Sequence, residues 1–203
     1  MPVDDGPSSP GRHRQPLRAD AQRSVDALLA AAAQVFAESG VDAPVRQITA
    51  RADVGAGTLY RHFPQRSDLI AAVFRREVDA CAAVGPTLAA QYEPLEALTR
   101  WLERFAGFVA TKRGLSAALH SGDPAYDSLP GYFQQHFEPV LADLLDSAAR
   151  AGAIRSDADP WDLLRAIGNL AVPLEDGDDH TQRMISLLVD GLRYGAGSAP
   201  RQA

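Results

Sequence analysis

Residues Val45 to Leu69 read VRQITARADVGAGTLYRHFPQRSDL, and this stretch decides the fold. Ile48 and Ala52 stand four apart, as do Leu59 and Phe63; each pair makes the apolar side of a short helix. Between them Asp53-Val54-Gly55 supplies a corner. Glycine accepts any backbone angle, and aspartate is among the few other residues that tolerate the left-handed region. Two short helices joined in this way, followed at once by the start of a third, have the geometry of a helix-turn-helix.

The outer side of the second helix carries Ala56, Gly57, Thr58, Tyr60, Arg61 and His62. Small residues at the leading end allow backbone to approach base edges in a major groove, and the hydroxyl, aromatic and cationic groups behind them suit phosphates. If these were ordinary core helices, Tyr60 and His62 would lie inside, but Leu59 and Phe63 already occupy that face.

Thr58-Leu59-Tyr60-Arg61-His62-Phe63, followed by Pro64, Arg66 and Asp68-Leu69, resembles the DNA-binding segment of TetR-family (tetracycline-repressor-like) regulators. Their hallmark is T-L/I-Y-x-H-F, a short polar link with a basic residue, and a D/E-L pair. Three positions depart from the usual wording: Thr49 for a common Ala, Asp53 for a common Gly, and Gly55 for a Ser-like cap. Glycine caps a helix only a few tenths of a kcal/mol less well than serine, but it removes a side-chain phosphate contact at position 55. The resemblance implies a homodimeric one-component regulator, a repressor, that binds a palindromic DNA operator and is released by a small-molecule effector. It also implies that Arg46 reaches a base, that Ala56 and Gly57 approach base edges, that Thr58, Tyr60, His62 and Arg66 hold phosphates, and that Arg61 does either.

The charge distribution agrees. The chain's net charge of −6 argues at first against a polyanionic partner. Yet residues 1–76 carry ten arginines against eight acids, while residues 77–203 carry ten basic residues against eighteen acids. A mildly basic amino-terminal part on an acidic remainder is the asymmetry expected of a DNA-reading head on a body with another task. One cysteine, Cys81, excludes an internal disulfide and a cysteine-rich zinc site. No apolar run is long enough to span a bilayer, and MPVDDGPSSPGRHRQP has no hydrophobic signal core, so a soluble cytoplasmic protein is expected.

Along the chain, residues 1–17 contain four prolines and no periodicity and are expected to form a disordered arm in which Arg12, His13 and Arg14 could reach a minor groove. A helix from about Asp20 to Ser39 carries Val25, Leu28, Leu29, Ala32 and Phe36 on one side and ends at Gly40 in a left-handed cap. With the helix-turn-helix it completes a head over 18–64. The body, 65–203, begins with a helix from Arg66 to about Val84, ended by Gly85-Pro86. Further helices are expected over Glu93 to Lys112, Leu115 to His120, Tyr132 to Ala151, Trp161 to Ala171 after the Asp159-Pro160 start, and His180 to Tyr194. The chain is therefore all-α, with about nine helices, three in the head and six behind.

The body has two expected uses. The last two helices would form the two-fold dimer seam, through Leu163, Ile167 and Leu170 on one and Met184, Leu187 and Leu188 on the other. One short recognition helix reads only a few base pairs, whereas two heads about 34 Å apart read a palindrome. The second use is an effector pocket. Trp101, Phe105 and Phe108 share a face, and Tyr126, Tyr132, Phe133, His136 and Phe137 cluster further on, with His120 beside them. Aromatic stripes at helical spacing also build ordinary cores, so pocket and core both remain open.

A competing class is an all-α enzyme or metal protein using His120, Asp123 and His136. The five histidines show no i, i+4 pair and no H-E-x-x-H arrangement, Cys81 has no adjacent base, and G-A-G at 55–57 lacks the rest of a nucleotide signature. No catalytic residue and no cofactor is expected.

Overall fold

The computed structural model describes residues 14–111, 122–170 and 177–194. Among the described residues every regular element is helical. They are α1 (Arg14–Ser39), α2 (Val45–Ala52), α3 (Ala56–His62), α4 (Arg66–Ala82), α5 (Val84–Gln91), α6 (Pro94–Thr111), a 3-10 turn at Pro124–Tyr126, α7 (Leu129–Arg150), α8 (Pro160–Leu170) and α9 (Gly177–Arg193). The chain separates into two compact units, one ending at Leu69 and the other starting at Ile70.

In the first unit, α1 presents Leu28, Ala31, Ala32, Val35 and Phe36 to the interior, all buried. Gly40 ends it with φ +78, and its N–H reaches Phe36 O at 3.0 Å, the left-handed cap expected of a glycine one step past a helix. The helix begins earlier than the sequence led us to expect, at Arg14. It thus takes in residues 14–17 of the segment read as an arm, because Pro16 falls in its first turn, where a missing N–H leaves no hydrogen bond unmade. Arg12 and His13 lie outside the described residues. Pro44 caps α2 with φ −60, and Ile48 is its fully buried anchor. Asp53, at φ 53, turns the corner, with Val54 N–H on Thr49 O at 3.1 Å. Gly55 then starts α3 from an extended conformation that any residue can adopt.

The second unit is built on α6 and α7. Leu98, Trp101, Leu102 and Phe105 of α6, and Phe137 and Leu141 of α7, have no exposed surface. Asp159 Oδ1 accepts from Asp162 N–H at 2.8 Å and starts α8 as its sequence indicates. Two expectations change. Gly85-Pro86 does not end the helical path: α4 stops at Ala82, and α5 begins at Val84, with only Ala83 between, itself close to helical angles. Proline in a first helical turn is harmless, so the Gly-Pro pair marks a helix start. Gly85 is also where α5 closes on its neighbours, since a β-carbon there would fall 2.3 Å from Val140 Cγ1 and 3.5 Å from Trp101 Nε1. The second change is that α7 and α9 each begin three residues before the sequence reading, at Leu129 and Gly177. The helix expected over Leu115 to His120 lies outside the described residues.

Candidate nucleic-acid interface

Leu59, 2% exposed, and Phe63, 8% exposed, fix the inward side of α3. The opposite side is set by the 3.6-residue repeat. Ala56, Gly57, Arg61 and His62 are exposed, Tyr60 is 54% exposed, and Thr58 is half-buried. Tyr60 lies off the Leu59–Phe63 side of the helix, so it is left in water. Gly57 has open space around its missing side chain, so the leading end of α3 is slim on every side. Arg46, in the first turn of α2, is exposed as well. The residues expected to meet DNA are thus brought together on α2 and α3, with one exception.

That exception is Arg66. Its guanidinium turns to the loop between α1 and α2: Nε donates to Val41 O at 2.7 Å, while Nη2 donates to Ala43 O at 2.5 Å and also to Val41 O. The same group lies over the Phe36 ring, 5.9 Å from its centroid. A phosphate contact was expected here, and the spacing of charge in the sequence gives no hint that backbone carbonyls would take these donors. Nearby, Gln65 N–H donates to Asp68 Oδ2 at 2.9 Å, so a carboxylate three residues on completes a start that Gln65 alone makes poorly. Arg51 grips Glu38 through two 2.8 Å bonds and ties α2 to α1; this fork lowers the carboxyl's pKa and raises that of the guanidinium.

In the second unit the aromatics expected around an effector do meet, but as packed rings. Phe137 stands edge-on to Phe105 at 5.1 Å, Phe108 at 5.3 Å and Phe133 at 4.8 Å between centroids, and Trp101 stacks on Phe105 at 5.6 Å. Tyr126 is buried. Tyr132 and His136 are drawn elsewhere. Tyr132 Oη donates to Asp79 Oδ1 at 2.6 Å, and His136 Nε2 lies 3.6 Å from the same oxygen. Arg75 of the same α4 reaches Ser128 Oγ at 2.8 Å. Burial, the hydrogen bond to Asp79 and that carboxylate's charge push the Tyr132 phenol up to about 12. His120 lies outside the described residues. A separate cavity of about 430 Å³ opens between α5 and α7, lined by Gly85, Pro86, Ala89, Ala90, Val140, Asp143 and Leu144, none of them foreseen.

The residues expected at a dimer seam divide. Leu163 and Ile167 are buried in the core of the second unit, because α8 turns them inward together with Leu164. Leu187 is 62% exposed, with Met184, Leu188 and Leu170 half-buried; the inward side of α9 is Ile185, Val189 and Leu192. Sequence spacing permits either phase of that helix, and only burial chooses. As for a metal, Asp123 Oδ1 caps the 3-10 turn through Ala125 N–H at 2.9 Å, and His136 faces Asp79. Among the described residues no three His, Cys, Asp or Glu side chains gather closely enough to hold an ion. Cys81 is buried and desolvation raises its thiol to about 11, far from a reactive thiolate. No helix among the described residues is long and apolar enough to cross a membrane.

Comparison with known proteins agrees with this geometry. Residues 28–73 match the family described as bacterial regulatory proteins, tetR family. Residues 93–194 match the C-terminal domain of SbtR-like transcriptional regulators. The HTH-type transcriptional repressor Rv3405c of Mycobacterium tuberculosis is 32% identical over 139 residues, which cover 68% of this chain and 65% of that protein. The match therefore spans just under two thirds of that relative's length. Among solved structures, the TetR transcriptional regulator SCO0520 from Streptomyces coelicolor is 39% identical with a TM-score of 0.71, over 83% of this chain and 98% of that one. A TetR regulatory protein from Mycobacterium vanbaalenii is 36% identical with a TM-score of 0.70, over 88% and 99%. With both halves matched and the helix-turn-helix exposed as its motif requires, the chain belongs to the TetR family of DNA-binding transcriptional regulators, which are not enzymes.

Proposed function

We propose that the protein is a cytoplasmic transcriptional repressor that binds a palindromic operator as a homodimer and lets go of it when a small molecule enters the body. The observation that carries this reading is the outward flank of α3: Ala56, Gly57, Tyr60, Arg61 and His62 are exposed and Thr58 is half-buried, opposite a core that Leu59 and Phe63 fill. Ala56 is suited to a thymine methyl, Gly57 to close backbone approach, and Thr58, Tyr60 and His62 to phosphates, with Arg61 able to serve either. Arg46 is assigned to guanine.

The outward face of α9, with Leu187, Met184 and Leu188, supports the dimer seam, joined by Leu170 and by Tyr194, which is 83% exposed. For the effector, the rings of Trp101, Phe105, Phe108, Phe133 and Phe137 are already packed on one another. The α5–α7 cavity, about 430 Å³, is therefore the better seat, and it falls within the usual range for small ligands of roughly 300–1,000 Å³. Binding there and binding of the operator oppose one another with equal coupling energy.

The test is selection of duplexes from a random pool by the full chain. Two-fold symmetric sites, bound with an affinity that falls steeply as salt is raised, are expected. Recovery of unrelated sequences with no symmetry would reject the reading.

A further inference from the structure

We propose that Arg66 is a positioning residue for sequence readout: it holds the recognition element in place through the α1–α2 loop and does not act by neutralising a phosphate. The inference rests on the reading of α3 as the groove-reading helix and adds what keeps the first turn of α2, which carries Arg46, in place.

Three observations carry it. The guanidinium donates to two carbonyls of one short loop, Val41 O and Ala43 O, and covers Phe36 at the last buried turn of α1. The loop is otherwise closed by little more than Ala43 N–H on Gly40 O at 3.2 Å, and Gly40 itself sits at a positive φ that sets no side-chain anchor. And the loop leads directly into Pro44, the cap of α2, two residues before Arg46. Arg66 thus joins the end of α1, the start of α2 and the start of α4 at one point. Its planar fork is what makes this possible, since guanidinium carries five N–H donors in fixed directions, whereas a lysine ammonium is a mobile point charge.

A charged donor on a backbone carbonyl is among the stronger neutral-partner bonds. Its loss frees the α1–α2 loop and with it the first turn of α2, which carries Arg46, although Ile48 and the Arg51–Glu38 fork still hold the rest of α2 on α1. Contacts to phosphates from flexible side chains survive such loosening, but paired bonds to a base edge need their geometry. Specific binding should therefore suffer and non-specific binding should not.

The experiment compares wild type, Arg66→Ala and Arg66→Lys on two probes, a duplex selected by the wild-type protein from a random pool and a scrambled duplex of the same composition, across a salt series. Circular dichroism fixes a temperature at which each protein is folded. The expected result is that both variants lose about tenfold in preference for the selected duplex, with the salt dependence unchanged. Should Arg66→Ala not fold, Arg66→Lys alone carries the comparison. Two results would overturn the proposal. In one, Arg66→Lys behaves as wild type while Arg66→Ala binds both duplexes equally less well, with the salt slope reduced by about one, the mark of a lost phosphate contact. In the other, both variants melt earlier yet discriminate as well as wild type, which would leave Arg66 a stabilising residue only. A wild-type protein with no preference between the probes would remove the groove-reading assignment itself, and this inference with it.

Discussion

The first unit and the body use aromatic residues in opposite ways. In α3, Tyr60 is 54% exposed while Phe63, three residues on, is 8% exposed; in α6, Trp101 and Phe105, four residues apart, both have no exposed surface. The head buries Phe36 and Phe63 and leaves Tyr60 in water. The body spends nearly all of its aromatics on itself. Where one aromatic already fills the inward side of a helix, a second one left in water is the informative residue.

The sharpest way to break this contrast is to remove one ring from each place. Phe137→Ala deletes a side chain touching Trp101, Phe105, Phe108 and Phe133. It should lower unfolding stability by about 3–5 kcal/mol, measured by urea titration, whereas Tyr60→Ala should move that midpoint hardly at all and weaken retention on DNA. Equal loss of stability in the two would erase the distinction. Gly85→Ala comes next. Its new methyl would stand 2.3 Å from Val140 Cγ1, and the forced shift of α5 against α7 should cost about 1–3 kcal/mol, partly recovered in the Gly85→Ala, Val140→Ala double variant. For the head, Arg46→Ala should leave stability unchanged and relax base preference at one operator position by about 1–3 kcal/mol. A uniform loss over all duplexes would make Arg46 a phosphate contact instead.

Tyr132→Phe should have a smaller effect, about 1 kcal/mol, because it removes only the bond to Asp79, itself half in water. The pH dependence has a definite sign. The phenol is raised from about 10 to about 12 in the folded chain, so its contribution is complete below about pH 10 and is lost as pH rises toward 12. Ultraviolet titration should show one late-ionising phenol fewer in Tyr132→Phe than in wild type. The smallest effect is expected from Gly55→Ser. Position 55 is extended, with φ −65 and ψ 144, and open space surrounds the missing side chain, so a hydroxyl cap should add a few tenths of a kcal/mol, read as a slightly higher melting temperature.

Much of the architecture was legible in the residues because helical spacing and local chemistry point the same way. Gly40 closing α1, Asp159 opening α8 and the Leu59–Phe63 face of α3 all follow from neighbours a few residues apart. Where the structure adds to the local reading or departs from it, one cause recurs. Gly85-Pro86 breaks a helix or begins one depending on which turn it falls in, and a twofold choice of that kind is settled by Val140 and Trp101, far along the chain. Ile167 and Leu187 both suit a helix's apolar stripe, yet one is buried in its own core and the other stands in water. Arg66 has the charge and position of a phosphate ligand, while the carbonyls that take its donors belong to a loop some 25 positions earlier. Local pattern fixes which helices exist, and distant contacts fix what their side chains are for.

Asp53 bears on how this sequence can change over generations. It is the one non-glycine at positive φ among the described residues, a posture that costs most side chains about 1 kcal/mol or more. Random substitution at that codon will be purged unless it yields glycine, asparagine or aspartate, even though the side chain need touch no partner. Lineages descending from this chain should therefore keep a narrow alphabet at position 53 for reasons of backbone posture, and would mislead anyone who took such invariance as the mark of a binding contact.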